Sequence, residues 1–273
     1  MNQNTSIRLI FITFLLGSFL SCEESVVWEL TPGENQKLVV DAILTDQGIR
    51  QKIWLSKSYD RVNEETPYVN DATVLVTANG TNYEFELDTA QQGLYLSKEP
   101  FSVLPDLEYE LIIDWQDEQY TANSQLSTVV PIPEITFKPF GNTDSLLQFR
   151  DFVPTYNPNQ QAMYEMNVNW SHLTNDDSSR ARLYFYTFKT ADVGQLAPPP
   201  KEMVSFPIGS IVLARKFGLN DDFAAYIRGL VLETNWNGGL FYGSSNSLPT
   251  NISNGGLGFF TTCAVVSRFV IAE

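Results

Sequence analysis

The chain has 273 residues, of which 43% are hydrophobic and 18% charged, a composition typical of a folded protein rather than a disordered one. Its 17 Lys and Arg residues and 32 Asp and Glu residues give a formal net charge of -15. Because so negative a surface repels phosphate backbones, nucleic-acid binding is excluded. Two cysteines and a single histidine leave little material for a disulfide scaffold, a transition-metal site or a His-dependent triad.

Residues 1–21 are predicted to form a lipoprotein signal peptide. Arg8 precedes an apolar run over residues 9–20, which has the length of a signal-peptide core and is too short to span a bilayer. The run ends in Ser21 and Cys22, which resemble a bacterial lipobox: diacylglycerol is added to the cysteine sulfur, and the chain is then cut between the two residues. Phe19 departs from the usual leucine. The alternative is an ordinary secretory peptide, with Cys22 buried in the mature fold.

Lipidation of Cys22 would attach the mature chain to a lipid bilayer. The two or three acyl chains of a lipoprotein cysteine bind durably, whereas one chain binds reversibly. Residues 22–36 are then a lipid-anchored tether. Cys263 would remain as a free thiol, and its apolar neighbours predict that it is buried and forms no disulfide.

Residues 37–130 are predicted to form an immunoglobulin-like or transthyretin-like β-sandwich. Asn79 and Gly80 are a strong type I′ hairpin signal, because both residues tolerate a positive φ. Pro131 and Pro133 mark the end of this domain, since proline cannot donate a ladder hydrogen bond. Seven short apolar runs separated by turns supply the strands: 38–44, 51–56, 72–77, 81–87, 93–97, 108–115 and 119–122.

Residues 134–273 are predicted to form a second, β-rich domain with one amphipathic helix. Apolar and polar residues alternate over 164–170, and the run 183–188 is short and aromatic, so both favour strands. Asn220 is a good N-cap for a helix that begins with two aspartates and should end before Asn237. The predicted fold class is therefore mainly β.

Several stretches of the chain resemble a known family. They are residues 38–46, residues 72–74 with the Asn-Gly hairpin that follows, residues 93–95, and above all the tail over 248–260, where a proline, two asparagines three apart and a glycine precede paired aromatics. These stretches are similar to the Bacteroidota outer-membrane lipoprotein family, domain of unknown function 4249. The resemblance implies an N-terminal sandwich, a β-rich C-terminal domain and an outer-membrane location, often beside TonB-dependent receptors. The family has no established activity, so it supplies no catalytic residues.

Two short patterns resemble signals of the same bacterial group. Glu23 and Glu24 directly follow the lipobox cysteine and are similar to the export signal for the outer leaflet of the outer membrane; alternatively they begin a solvated tether. Thr89 and Ser145 each follow an aspartate and precede a small or aliphatic residue, which resembles the periplasmic O-glycosylation acceptor. Both are expected in loops that an enzyme can reach.

The sequence predicts no catalytic residue, metal ligand or cofactor. His172 is predicted at the surface, and the Asn-Asp-Asp triplets at 175–177 and 220–222 indicate a turn and a helix cap rather than a calcium loop. Carboxylates such as Asp114 and Asp117 could serve a glycosidase only across a cleft. Exposed tryptophans could form a glycan platform, but three of them lie within strand patterns and are predicted to be core residues: Trp54, Trp115 and Trp170.

Two function classes remain. The first is a non-catalytic outer-membrane surface lipoprotein, an accessory subunit that works with a TonB-dependent receptor in uptake. It is favoured because confinement beside a receptor raises the effective concentration of a tethered binder, which then needs no active site. The second is a cell-surface hydrolase of glycans or peptides that uses carboxylates. The predicted partner contact combines aromatic residues with flexible glycines, although the same stretch could be a packed loop: Trp236, Leu240, Phe241 and Tyr242.

Overall fold

The computed structural model describes residues 36–59, 65–150, 153–190, 204–234 and 248–273. Within these ranges the protein is mainly β, as the sequence predicts. No helix in them is both long and apolar enough to cross a membrane. Several residues with predicted roles lie outside the described ranges: Ser21, Cys22, Glu23, Glu24, Trp236, Leu240, Phe241 and Tyr242.

The strands, in chain order, are β1 (Leu38–Thr45), β2 (Lys52–Lys57), β3 (Thr73–Ala78), β4 (Thr81–Leu87), β5 (Leu94–Ser97), β6 (Glu108–Trp115), β7 (Glu118–Gln125), β8 (Phe137–Phe140), β9 (Thr143–Phe149), β10 (Ala162–Asn169), β11 (Arg180–Thr187), β12 (Phe206–Pro207), β13 (Ile211–Gly218), β14 (Leu257–Cys263) and β15 (Val265–Ile271). The helices are α1 (Ser171–Thr174) and α2 (Asp221–Thr234).

The first sheet has eight strands in the order β14-β1-β2-β5-β4-β3-β6-β7. Seven of them are the strands predicted for residues 37–130. Side chains of successive strand residues alternate between the core and the outside of the sheet. On β1, Val40 and Ala42 are fully buried, whereas Asp41 between them faces outward. Asn79 and Gly80 join β3 to β4 with φ values of 48° and 75°, as a type I′ hairpin requires.

The eighth strand comes from the far end of the chain. β14 pairs in parallel with β1, from Val39 opposite Leu257 to Thr45 opposite Cys263. On its other side β14 meets β7, the last strand of the sheet, where Thr262 N donates a hydrogen bond to Ser124 Oγ (3.0 Å). The sheet therefore curls into a near-barrel around one apolar core, and one of its strands comes from beyond the prolines at 131–133.

The remaining strands form two smaller sheets. β11-β10-β13-β15 is a four-stranded sheet, called the second sheet below, and β12-β9-β8 is a three-stranded sheet. Met166 and Val212, on the inner face of the second sheet, pack in one apolar cluster with Leu147 of β9 and Phe206 of β12. The three-stranded sheet thus covers one face of the second sheet.

Helix α2 covers the outer side of β14. Asn220 Oδ1 accepts a hydrogen bond from Phe223 N (2.7 Å), so the predicted N-cap is confirmed. The rings of Phe223 and Phe259 lie 5.2 Å apart between their centroids, and Cys263 belongs to the same buried cluster. Both faces of β14 are therefore buried, which explains why the neighbouring residues Phe259 and Phe260 are both aromatic and both buried.

Candidate functional site

The outer face of the second sheet carries large exposed apolar side chains. Residues directly opposite each other on antiparallel strands share a face, so the register places Leu213 beside Phe269 and Ile211 beside Ile271. Phe269 is 60% exposed and Ile271 52% exposed. Contiguous exposed apolar surface on a regular sheet is typical of a protein contact site.

Arginines border this apolar area. Arg180 and Arg182 lie on β11, at the opposite edge of the same face, and both are exposed. The register runs from Arg182 to Asn167, then to Leu213 and Phe269, so that the basic and apolar areas form one surface. We call this surface the outer face; its strand residues include Arg180, Arg182, Tyr184, Glu165, Arg215, Leu213, Phe269 and Ile271.

The carboxylate of the outer face is buried and paired. Glu165 is 4% exposed, and its oxygens lie 2.5 Å from Arg215 Nη2 and 3.3 Å from Arg182 Nε. Together with Arg180, the strand residues of this face carry three positive charges and one negative charge. The outer face is thus positive, although the whole chain has a net charge of -15.

A second candidate site is an open cleft of about 540 Å³ beside the first sheet. Tyr68 on its wall is 40% exposed, and the glutamines and the glutamate are also exposed. We call it the Trp54 cleft; its lining residues are Trp54, Glu65, Thr66, Tyr68, Gln91 and Gln92.

Trp54 reaches the cleft because of strand alternation. On β2, Ile53 and Leu55 are fully buried in the core, whereas Trp54 between them is half-buried on the opposite face. The prediction that Trp54 is a core residue is therefore wrong, and the alternation of β2 was the signal that could have corrected it. Trp115 is buried as predicted, and its Nε1 donates a hydrogen bond to Asp71 Oδ1 (3.0 Å).

Two loops complete the Trp54 cleft. Residues 65–69 run beside β2, where Val69 N donates to Leu55 O (3.1 Å), and the turn before β5 approaches so that Leu55 N donates to Gly93 O (2.8 Å). Gly93 has a φ of 72°, and a Cβ there would lie 2.5 Å from Tyr68 Cδ1. Glycine is therefore required where this turn packs against the tyrosine.

The tail over residues 248–260 closes the first sheet. Asn251 Oδ1 accepts from Phe260 N (3.0 Å), and Asn251 Nδ2 donates to Phe260 O (2.8 Å) and to Asn123 O of β7 (3.3 Å). One side chain thus ties β7 to β14. Gly258, at a φ of 84°, passes so close to β1 that a Cβ would lie 1.9 Å from Val40 O. The tail motif that carries the family resemblance therefore has a structural role, which is to hold β14 against β1 and β7.

A family model matches residues 23–268, which is most of the chain; it is described as domain of unknown function, DUF4249. The chain belongs to the DUF4249 family. No curated protein matches it. Because the description of DUF4249 names no activity, the function of this member has to be argued from its own residues.

The two predicted glycosylation sites of this DUF4249 member differ in structure. Thr89 is exposed in the loop between β4 and β5, where Asp88 Oδ1 accepts a hydrogen bond from Ala90 N (3.0 Å). Ser145 is exposed but lies within β9, and its carbonyl accepts from Ile208 N (3.2 Å). The expectation of a loop at Ser145 is wrong, because the turn at residues 141–142 ends before it and β9 has already begun.

The other polar groups singled out in the sequence have structural partners. His172 is exposed on α1, with Nε2 3.1 Å from Gly209 O. Asp176 Oδ1 accepts from Ser178 N (2.9 Å) in the predicted turn, and Asp114 Oδ1 accepts from Gln119 Nε2 (2.9 Å) on an exposed hairpin. Over the described ranges, no three His, Cys, Asp or Glu side chains cluster as a metal site would require.

Proposed function

We propose that this protein is a non-catalytic, lipid-anchored outer-membrane protein of Bacteroidota. In this role it is an accessory subunit of a TonB-dependent receptor in uptake, and it docks on the receptor through the outer face of the second sheet. The observation that carries the proposal is the exposed apolar row on β13 and β15 beside the arginines of β11.

The composition of the outer face matches that of a contact surface. Interface cores are enriched in aromatic residues and arginine and depleted in lysine and acids. Phe269 and Tyr184 supply exposed aromatic area, and the buried Glu165 holds Arg215 in place within the sheet. The arginines would pair with an acidic patch on the receptor. The rest of this chain is acidic and would be repelled by such a patch, which disfavours docking in other orientations.

Membrane attachment supports a docking role. A lipid anchor at Cys22 confines the protein to the plane of its receptor, so modest contacts are sufficient for association. We expect Cys22→Ala to release soluble protein and to abolish labelling by a fatty-acid analogue. A Cys22→Ala protein that stays labelled in the membrane fraction contradicts the lipidation.

The docking test is co-purification from outer membranes. The test variant combines Phe269→Ala with Arg180→Glu on the outer face, and the control combines Tyr156→Ala with Lys138→Glu, which removes an exposed aromatic and reverses a charge elsewhere. We expect the wild type and the control to recover a stoichiometric β-barrel partner and the test variant to lose it at least about tenfold, because contacts at the centre of an interface carry most of its energy.

Two results contradict the proposed function. Equal recovery of the partner by both variants would remove the outer face as the docking surface. Turnover of a glycan or peptide panel by purified protein without a partner would instead support the surface hydrolase.

A further inference from the structure

We propose that the Trp54 cleft binds a neutral carbohydrate. The inference rests on the proposed function in that it names the ligand class of a binding protein. It uses a surface on the first sheet, however, and not the outer face of the second sheet, so the two proposals can fail separately.

The aromatic groups of the cleft suit the apolar face of a sugar ring. A pyranose presents C–H groups on its faces and hydroxyls at its rim, and an indole ring offers a flat apolar surface with a polar N–H at its edge. Trp54 is half-buried and lines the cleft, and Tyr68 adds a second ring that is 40% exposed. The volume of about 540 Å³ is within the range of about 300–1,000 Å³ found for small-molecule sites.

The polar groups of the cleft suit hydroxyls. Each glutamine amide has N–H donors and a carbonyl acceptor. A sugar hydroxyl can both donate and accept, so it can pair with either end of the amide. Within the described part of the chain, the side-chain amides of Gln91 and Gln92 and the indole N–H of Trp54 form no hydrogen bond. A ligand can therefore bind these groups without breaking an interaction among the described residues.

The charge of the cleft excludes an acidic ligand. Glu65 is the charged residue of the lining. The carboxylate of Glu65 in the lining, on a chain of net charge -15, repels phosphates, sulfated glycans and uronic acids. A neutral sugar meets no such repulsion, and its hydroxyls can donate to Glu65.

The walls of the cleft are preorganised. Asn70 Oδ1 accepts a hydrogen bond from Gly93 N (2.7 Å), and the same glycine packs against Tyr68. The tyrosine and the turn that carries the glutamines are thus fixed to each other before a ligand arrives, which lowers the entropic cost of binding.

The test uses the full-length protein in detergent, without any partner. Native gels that contain laminarin, arabinoxylan, galactomannan, starch or polygalacturonate measure retardation, and titration with a hexasaccharide of the retarding polymer measures the dissociation constant. We expect at least one neutral polymer and not polygalacturonate to retard the protein. Trp54→Ala should weaken binding at least about tenfold, and Trp54→Phe, which keeps an aromatic face, should weaken it less.

Matched variants separate the cleft from general effects. Gln91→Ala with Gln92→Ala should weaken hexasaccharide binding, whereas Tyr184→Ala, which removes an exposed ring from the outer face, should leave it unchanged; thermal unfolding checks that each variant folds. The proposal is overturned if no neutral polymer retards the wild type or if Trp54→Ala binds as well as the wild type. Binding of choline alone, without any neutral saccharide, would identify the cleft as a cation site and overturn it too.

Discussion

The last two strands of the chain have similar compositions and opposite environments. β14 carries Phe259 and Phe260, which are 4% and 0% exposed, whereas Phe269 on β15 is 60% exposed. β14 lies between the core of the near-barrel and α2, while the three-stranded sheet covers β15 on its inner side. An aromatic residue on a strand is therefore a core residue or a contact residue according to how many layers cover that strand.

The largest expected difference between the two strands is in stability. Phe260→Ala removes a fully buried ring and should lower the free energy of unfolding by about 3–5 kcal/mol. Phe269→Ala should change it by no more than about 0.5 kcal/mol, as is usual for exposed positions. Urea denaturation of both variants and of the wild type measures these changes in the free energy of unfolding. A large loss for Phe269→Ala would mean that its ring is covered in the folded protein, and the outer face could not be a docking surface.

The closeness of β14 to β1 can be tested at Gly258. Gly258→Ala would place a Cβ 1.9 Å from Val40 O at a φ of 84°, so the strands must separate. We expect a loss of about 3 kcal/mol in the same denaturation experiment. Gly80→Ala is the matched control, because its φ is also positive (75°) but a Cβ there has no atom within 4 Å. Equal losses would attribute the effect to backbone strain instead of strand pairing.

A smaller effect is expected where one side chain ties β7 to β14. Asn251→Ala leaves Phe260 N and Phe260 O without their partner, so the free energy of unfolding should fall by about 1–3 kcal/mol. Asn251→Asp keeps the acceptor for Phe260 N and loses the donor, so its loss should be intermediate. If Asn251→Ala unfolds like the wild type, the tail does not hold the sheet closed.

The effect that is smallest near neutral pH concerns the thiol on β14, and it grows as pH rises. Burial raises the pKa of Cys263 from 9.0 to about 12, so the thiol stays protonated in the folded protein while that of the unfolded chain ionises near pH 9. The stability of the folded state therefore falls as pH rises between these values. Because the thiolate is the reactive form, iodoacetamide should modify Cys263 only after unfolding. Rapid alkylation of the folded protein at pH 8 would contradict the burial.

The sequence predicted the local elements well. The seven strands of residues 37–130, the Asn-Gly hairpin, the Asn220 cap and the burial of Cys263 all follow from alternation, positive φ and capping chemistry, which depend on residues close together in the chain. The second half of the chain was predicted less completely. Strands were expected there only over 164–170 and 183–188, so β8, β9, β12, β13, β14 and β15 were not predicted. Ser145 was expected in a loop, but the turn at 141–142 ends before it.

The closure of the first sheet and the role of the tail motif depend on contacts between residues far apart in the chain. The sequence does not show that β14 closes the first sheet, because the pairing of β1 with β14 joins residues more than 200 positions apart. Nor does it show that the tail motif is structural, since the partner atoms of Asn251 are backbone groups of two different strands.

The two candidate sites were missed for a related reason. Strand alternation determines which residues share a face, and this places Trp54 opposite Ile53 and Leu55, and Phe269 opposite Val270. Which of the two faces is covered depends on the layer that packs against the strand, and that layer comes from elsewhere in the chain. Local patterns thus predicted the strands of residues 37–130 and the two faces of each strand, whereas which face is exposed depends on packing between distant parts of the chain.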